Sequence, residues 1–253
     1  MRNQPIQVLQ ATSRRAPAAT LTPGLLIAGA TGALGNEMLR RLVGSGDYGV
    51  VHVLAREPMT EALRGLSCAV VPPELEAGWP LLPAQTGVIL FDPPRLFYDR
   101  ERALWTPRPD QLQALAGWMR RCGVSTLAVV LPHAQGRLPE ALKSGLANLE
   151  EHAVASLGFD RVLFVRSAQK PSAAPRGGWL TAAAHWMLAT LRYMVPSSEQ
   201  PVRAAKVTEL VLLALRTAPP GIHVAAPELV WRAAQGNMKE AVAAWLKSES
   251  RQN

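Results

Sequence analysis

The residues with the clearest chemical meaning are Gly29-Ala30-Thr31-Gly32-Ala33-Leu34-Gly35, three glycines at a spacing that can cradle a phosphate. An apolar run, residues 24–31, precedes them, and a helical pattern, residues 34–43, follows. In that context each glycine has a purpose. One permits the tight turn, one lets the backbone approach a pyrophosphate, and one lets helix and strand pack closely. The helix N-terminus then offers unpaired N–H groups and partial positive charge to the phosphates. The alternative is a tight turn that holds no ligand. Gly29, Thr31, Gly32, Ala33, Leu34 and Gly35 are the expected cofactor-binding residues of this turn.

A second signal is Arg56, which ends the next β-branched run, residues 49–56. A site for NAD usually places an acid there to bind the ribose 2′-hydroxyl. A guanidinium suits the 2′-phosphate of NADP instead, by bidentate pairing and by stacking on adenine. NADP(H) is therefore expected over NAD(H), although Glu57 adjoins and Arg56 would also serve as an ordinary surface residue. Acid–base candidates are sparse. His133 follows the strand expected at 126–131 and could face a crevice and titrate near neutrality, or be a plain loop histidine. Tyr98 lies in the loop after the strand expected at 87–92, beside Arg95, Arg100 and Arg102, which would meet an acidic ligand or stay solvated. Asp92 would bind a ribose hydroxyl or cap the turn before Pro93. No His, Cys and carboxylate cluster has metal-ligand spacing, so no metal is expected.

The elements that must position these residues alternate. Strands are expected at 24–31, 49–56, 68–71, 87–92, 126–131, 160–166 and 221–226. Helices are expected at 34–43, 60–64, 138–157, 179–195, 202–217 and 238–247, and one capped by Asp110 that ends at Arg121. Such alternation predicts an α/β, Rossmann-type doubly wound parallel sheet with helices on both faces and a small helical C-terminal portion. Residues 1–22 read as a basic flexible tail and 23–253 as one domain, its part from about 167 onward facing substrate or partner. The helix at 179–195 is apolar around its circumference, which fits burial, self-association or a protein partner.

Bulk properties narrow the field further. With 48% apolar and 18% charged residues the chain is globular rather than disordered. The net charge of +8, from 27 basic and 19 acidic residues, suits a phosphate-bearing ligand. It would also suit weak contact with nucleic acid, but no block of basic residues points to a specific one. Cys68 and Cys122 read as reduced, buried thiols of a cytoplasmic protein, with no secretory signal and no transmembrane span.

Taken together, GATGALGNEMLRRL (29–42) and VHVLAR (51–56) resemble the atypical short-chain dehydrogenase/reductases, the NAD(P)-binding NmrA-like and epimerase-like branch. The likeness extends through GVSTLAVVLP, FDRVLFVRSA and PVRAAKVTELVLLAL. It implies a crevice at the C-terminal strand ends, bordered by Asp92, Pro93 and Pro94, by Leu131, Pro132 and His133, and by Arg166 and Ser167. Catalytic members of these families carry a tyrosine with a lysine four residues later. Here His52, Arg102 and Ser197 stand four residues after the three tyrosines, Tyr48, Tyr98 and Tyr193. The serine expected at the end of the fifth strand is replaced by Pro132-His133. The resemblance thus implies a cofactor-binding protein without the usual proton-transfer set, in a sensor or assembly role. The alternative is an oxidoreductase using His133 or Tyr98.

Overall fold

The computed structural model describes residues 23–59, 65–72, 78–95, 98–133, 146, 149–168 and 202–249. The basic tail, the helices expected at 60–64 and 179–195 and half of the one at 138–157 lie outside the described residues. Seven parallel strands form one sheet in the order β3-β2-β1-β4-β5-β6-β7. They are β1 (Leu25–Ala28), β2 (Val51–Ala55), β3 (Leu66–Val70), β4 (Thr86–Leu90), β5 (Thr126–His133), β6 (Arg161–Ala168) and β7 (Gly221–Ala225). This is a Rossmann-like α/β fold. Strand order reverses between β1 and β4, so the crevice typical of such sheets opens above the C-terminal ends of those two strands.

Both central strands are buried along their whole length, which is why they read as continuous apolar runs rather than alternating ones. On one face, α1 (Gly32–Gly44) buries Gly35, Met38 and Leu42. Helix α5 (Ala204–Thr217) buries Val207, Leu210, Val211 and Ala214, the helical i, i+3, i+4, i+7 stripe, and packs against α1. Helices α6 (Pro227–Gln235) and α7 (Met238–Glu249) extend this layer. On the other face, α3 (Leu112–Arg121) packs with α4 (Leu149–Ala155) over a second core, in which Trp79 meets Trp105 and Trp118 edge to face at 5.2 and 5.1 Å. Burying three indoles in that geometry adds attraction beyond the area removed from water.

Two local expectations change. Asp110 lies within a 3-10 turn (Pro109–Gln111) and pairs with Arg108; the cap position of α3 belongs to Gln111, which makes no side-chain cap. The proline at 109 starts a tight turn before the helix proper, and this displaces the cap. Helix α6 was not expected, although Pro227 at its first position and Gly236 just beyond it are the usual start and stop residues. Both cysteines are free, Cys122 buried and Cys68 half-buried. Among the described residues no helix is long and apolar enough to cross a membrane, and no group of side chains could hold a metal ion.

Candidate functional site

Gly29 and Gly32 adopt positive φ values of 80° and 68°, the left-handed region that glycine enters without strain. Gly35 does not; a Cβ there would lie 2.5 Å from the Gly29 carbonyl oxygen, so its role is close helix–strand packing. The turn therefore has the geometry that its spacing implies. What faces it does not come from outside the chain.

After β4 the chain turns at Asp92-Pro93 and forms the short helix α2 (Asp99–Arg102). It then runs back across the C-terminal ends of β2 and β1. The Arg56 N–H donates to the Ala103 carbonyl at 2.7 Å, Trp105 N–H to Leu54 at 3.0 Å, and Gly29 N–H to Trp105 at 3.2 Å. Leu104 bridges antiparallel to Ala55. Trp105, only 2% exposed, pins this strap into the core beneath the crevice.

The strap carries acids onto the glycine turn. Glu101, 4% exposed, accepts hydrogen bonds from the Gly32 N–H at 3.0 Å and from Asn36 Nδ2 at 2.6 Å. Its carboxylate also accepts the Arg95 N–H at 2.9 Å and Arg95 Nε at 2.6 Å. Asp92 Oδ2 accepts the Leu34 N–H at 2.9 Å, and its carbonyl accepts the hydroxyl of fully buried Thr31. A Cβ on Gly32 would sit 2.4 Å from Asp92 Oδ2, so the second glycine makes room for the chain's own carboxylate. Burial pushes the Glu101 carboxyl upward, yet the Arg95 side chain and the Arg95 and Gly32 amides outweigh it and hold the group below the ordinary range. Burial dominates at Asp92 and raises it, against the amides of Leu34 and Ala33.

In this arrangement a dinucleotide pyrophosphate does not fit. The helix N-terminal donors that would hold it already serve two carboxylates. Anionic phosphates would also meet like charge.

The structure places the other expected site residues as follows. Arg56 stands exposed at the end of β2, where its run predicts it. Pro93 and Pro132 are exposed at the ends of β4 and β5. Arg166, by contrast, is buried within β6 and pairs with Glu151 of α4 at 2.8 Å, both side chains 2% exposed. Tyr98 is half exposed, with the Arg95 guanidinium 3.8 Å above its ring. Of His133 only the backbone is described, paired with Ala168. Glu101 and Glu151 carry the decisive contacts, and neither stood out in the sequence. The only cue for Glu101 was an acid set among three arginines in a loop beside the turn.

No family model matches the chain and no curated protein resembles it significantly. Among solved structures it is similar to uronate dehydrogenase from Agrobacterium tumefaciens, with 14% identity, TM-score 0.46, and 80% and 75% of the two chains covered. It is also similar to a Bordetella bronchiseptica enzyme in complex with NAD+, with 10% identity, TM-score 0.43, and 83% and 80% covered. A nucleoside-diphosphate-sugar epimerase from Staphylococcus aureus gives 14% identity, TM-score 0.44, and 77% and 67% covered.

Proposed function

We propose that this chain is a non-catalytic nicotinamide-dinucleotide-binding protein in which NADP(H) and the chain's own strap compete for the glycine turn. The observation that carries this reading is the seating of Glu101 and Asp92 on the Gly32 and Leu34 amides. The turn is a working anion site, and the anions are supplied internally. A pyrophosphate enters by displacing both carboxylates, so the apparent affinity falls by the fraction of molecules in which the strap is released.

In the released state, Gly29, Thr31, Gly32, Ala33, Leu34 and Gly35 hold the pyrophosphate. Arg56, exposed at the end of β2, takes the 2′-phosphate. Asp92, Pro93 and Pro132 border the ribose and nicotinamide, while Arg166 remains with Glu151. Binding without turnover is supported by the sequence, in which no tyrosine has a lysine four residues on. Such a protein reports or transmits cofactor occupancy rather than consuming cofactor.

Calorimetric titration with NADPH and NADH tests the cofactor choice. The expected result is NADPH binding that is tighter than NADH binding and weakened at least about tenfold in Arg56→Ala. Equal affinities, or an unchanged Arg56→Ala variant, would overturn the NADP assignment. Steady NADPH oxidation with a panel of carbonyl acceptors would overturn the non-catalytic one.

A further inference from the structure

Helix α2 is held to the glycine turn by a single side chain. Of Asp99, Arg100, Glu101 and Arg102 only Glu101 is buried, and its three neighbours stand exposed. The apolar anchors of the strap, Leu104 and Trp105, follow the helix and enter the two cores of the sheet. Lifting α2 from the turn thus takes one carboxylate out of its pocket and removes no apolar side chain of the helix from a core.

That pocket is richer than a helix N-terminus alone. Four donors converge on the two carboxylate oxygens. The N–H groups of Gly32 and Arg95 reach Oε2 at 3.0 and 2.9 Å, and Asn36 Nδ2 and Arg95 Nε reach Oε1, each at 2.6 Å. Two of the four come from side chains, one of them a guanidinium. Asn36 Nδ2 also donates to the Gly32 carbonyl at 2.8 Å, so its amide keeps the NH2 edge toward the pocket whichever anion sits there. Arg95 stands before the helix, directly after Pro93 and Pro94, whose rings restrict the backbone, so it need not follow Glu101 when the helix lifts.

Arg95 has its partner in this state, and the pair is neutral. A carboxylate and a phosphate each present two oxygens to the guanidinium fork, and arginine pairs with either. We infer that Arg95 and Asn36 change partners, from Glu101 in the closed state to one phosphate of the incoming pyrophosphate. The inference rests on the competition proposed above and adds to it the side chains that receive the ligand. Arg95 is then the latch of the closed site and a ligand contact of the filled one, so the exchange leaves no cation unpaired.

The two roles of Arg95 act on affinity with opposite signs, so the test removes the latch first. NADPH is titrated calorimetrically into wild type, Glu101→Gln, Glu101→Gln/Arg95→Ala and Glu101→Gln/Arg95→Lys, with melting temperature confirming that each is folded. Adding Arg95→Ala is expected to weaken NADPH binding at least about tenfold relative to Glu101→Gln alone. Adding Arg95→Lys, which keeps the charge and loses the fork, should give an affinity between the two. Asn36→Ala in the same background should cost about threefold, the share of a neutral hydrogen bond. If the alanine variant fails to fold, the lysine variant decides, and affinity equal to that of Glu101→Gln would overturn the inference. Undiminished or tighter binding by a folded alanine variant would also overturn it, while a gain of Glu101→Gln over wild type would leave the competition standing. Binding by none of the four proteins would overturn both.

Discussion

The two halves of the crevice neutralise their charges in different ways. Above β1 and β2, Glu101 and Asp92 sit on helix N-terminal amides, and the cation that balances Glu101 is Arg95, whose side chain is 42% exposed. Above β6, Arg166 and Glu151 form an ion pair with both members 2% exposed. In the first arrangement the balancing cation, Arg95, is partly exposed to solvent while the Glu101 carboxylate is buried. In the second both side chains are buried, so separating its members leaves an ion in the core, where desolvation is expensive. Under the proposed competition the first half exchanges its anions and the second keeps them.

The largest effect is expected at the sealed corner. Glu151→Ala removes a buried carboxylate from the Arg166 guanidinium, a loss of about 3–5 kcal/mol. For a chain of this size the melting temperature should fall by roughly 6–20 °C. A fall below about 2 °C would show that this half is no more rigid than the other.

At the exchangeable half, Glu101→Gln keeps the side-chain shape and leaves Arg95 able to turn to water, so the expected cost is smaller, about 1–3 kcal/mol by urea unfolding at neutral pH. The sign of its pH dependence follows from the depressed Glu101 carboxyl. Its contribution is fully present above the unfolded carboxylate range and disappears as pH falls through the folded value. The gap between wild type and Glu101→Gln should therefore narrow in acid; a constant gap would contradict the ionic role.

Asp92 should give the smallest effect, with the opposite sign. Its carboxyl is raised by burial, so ionisation weakens the fold, and the penalty is relieved as pH falls through the raised value. Asp92→Asn is expected to match wild type in mild acid and to be slightly more stable at neutral pH. A clear loss of stability at neutral pH would show that its charge on the Leu34 amide outweighs its burial.

The seven strands and the glycine turn were legible because they are local. Apolar runs such as GVILFD and TLAVVL need no distant partner to be read as buried strands, and the spacing Gly29, Gly32, Gly35 defines a turn wherever it occurs after a strand. What fills the turn was not local. Glu101 is 69 residues from Gly32, and DRER reads as solvated charge until the strap folds back over β1 and β2. Arg166 was assigned to the crevice from its place at a strand end. Whether such a side chain turns outward or inward depends on an acid 15 residues away on a different element, Glu151. Charge pairs across elements are set by tertiary packing, and sequence periodicity carries no trace of them.

The competition at the glycine turn is tested most directly by titrating NADPH into wild type and into the Asp92→Asn/Glu101→Gln variant, with melting temperature confirming that both are folded. Removing two negative charges from the phosphate position should raise NADPH affinity at least about tenfold over wild type. Equal affinity in the two proteins, weaker binding by the variant, or binding by neither would contradict it and leave the turn a purely structural device.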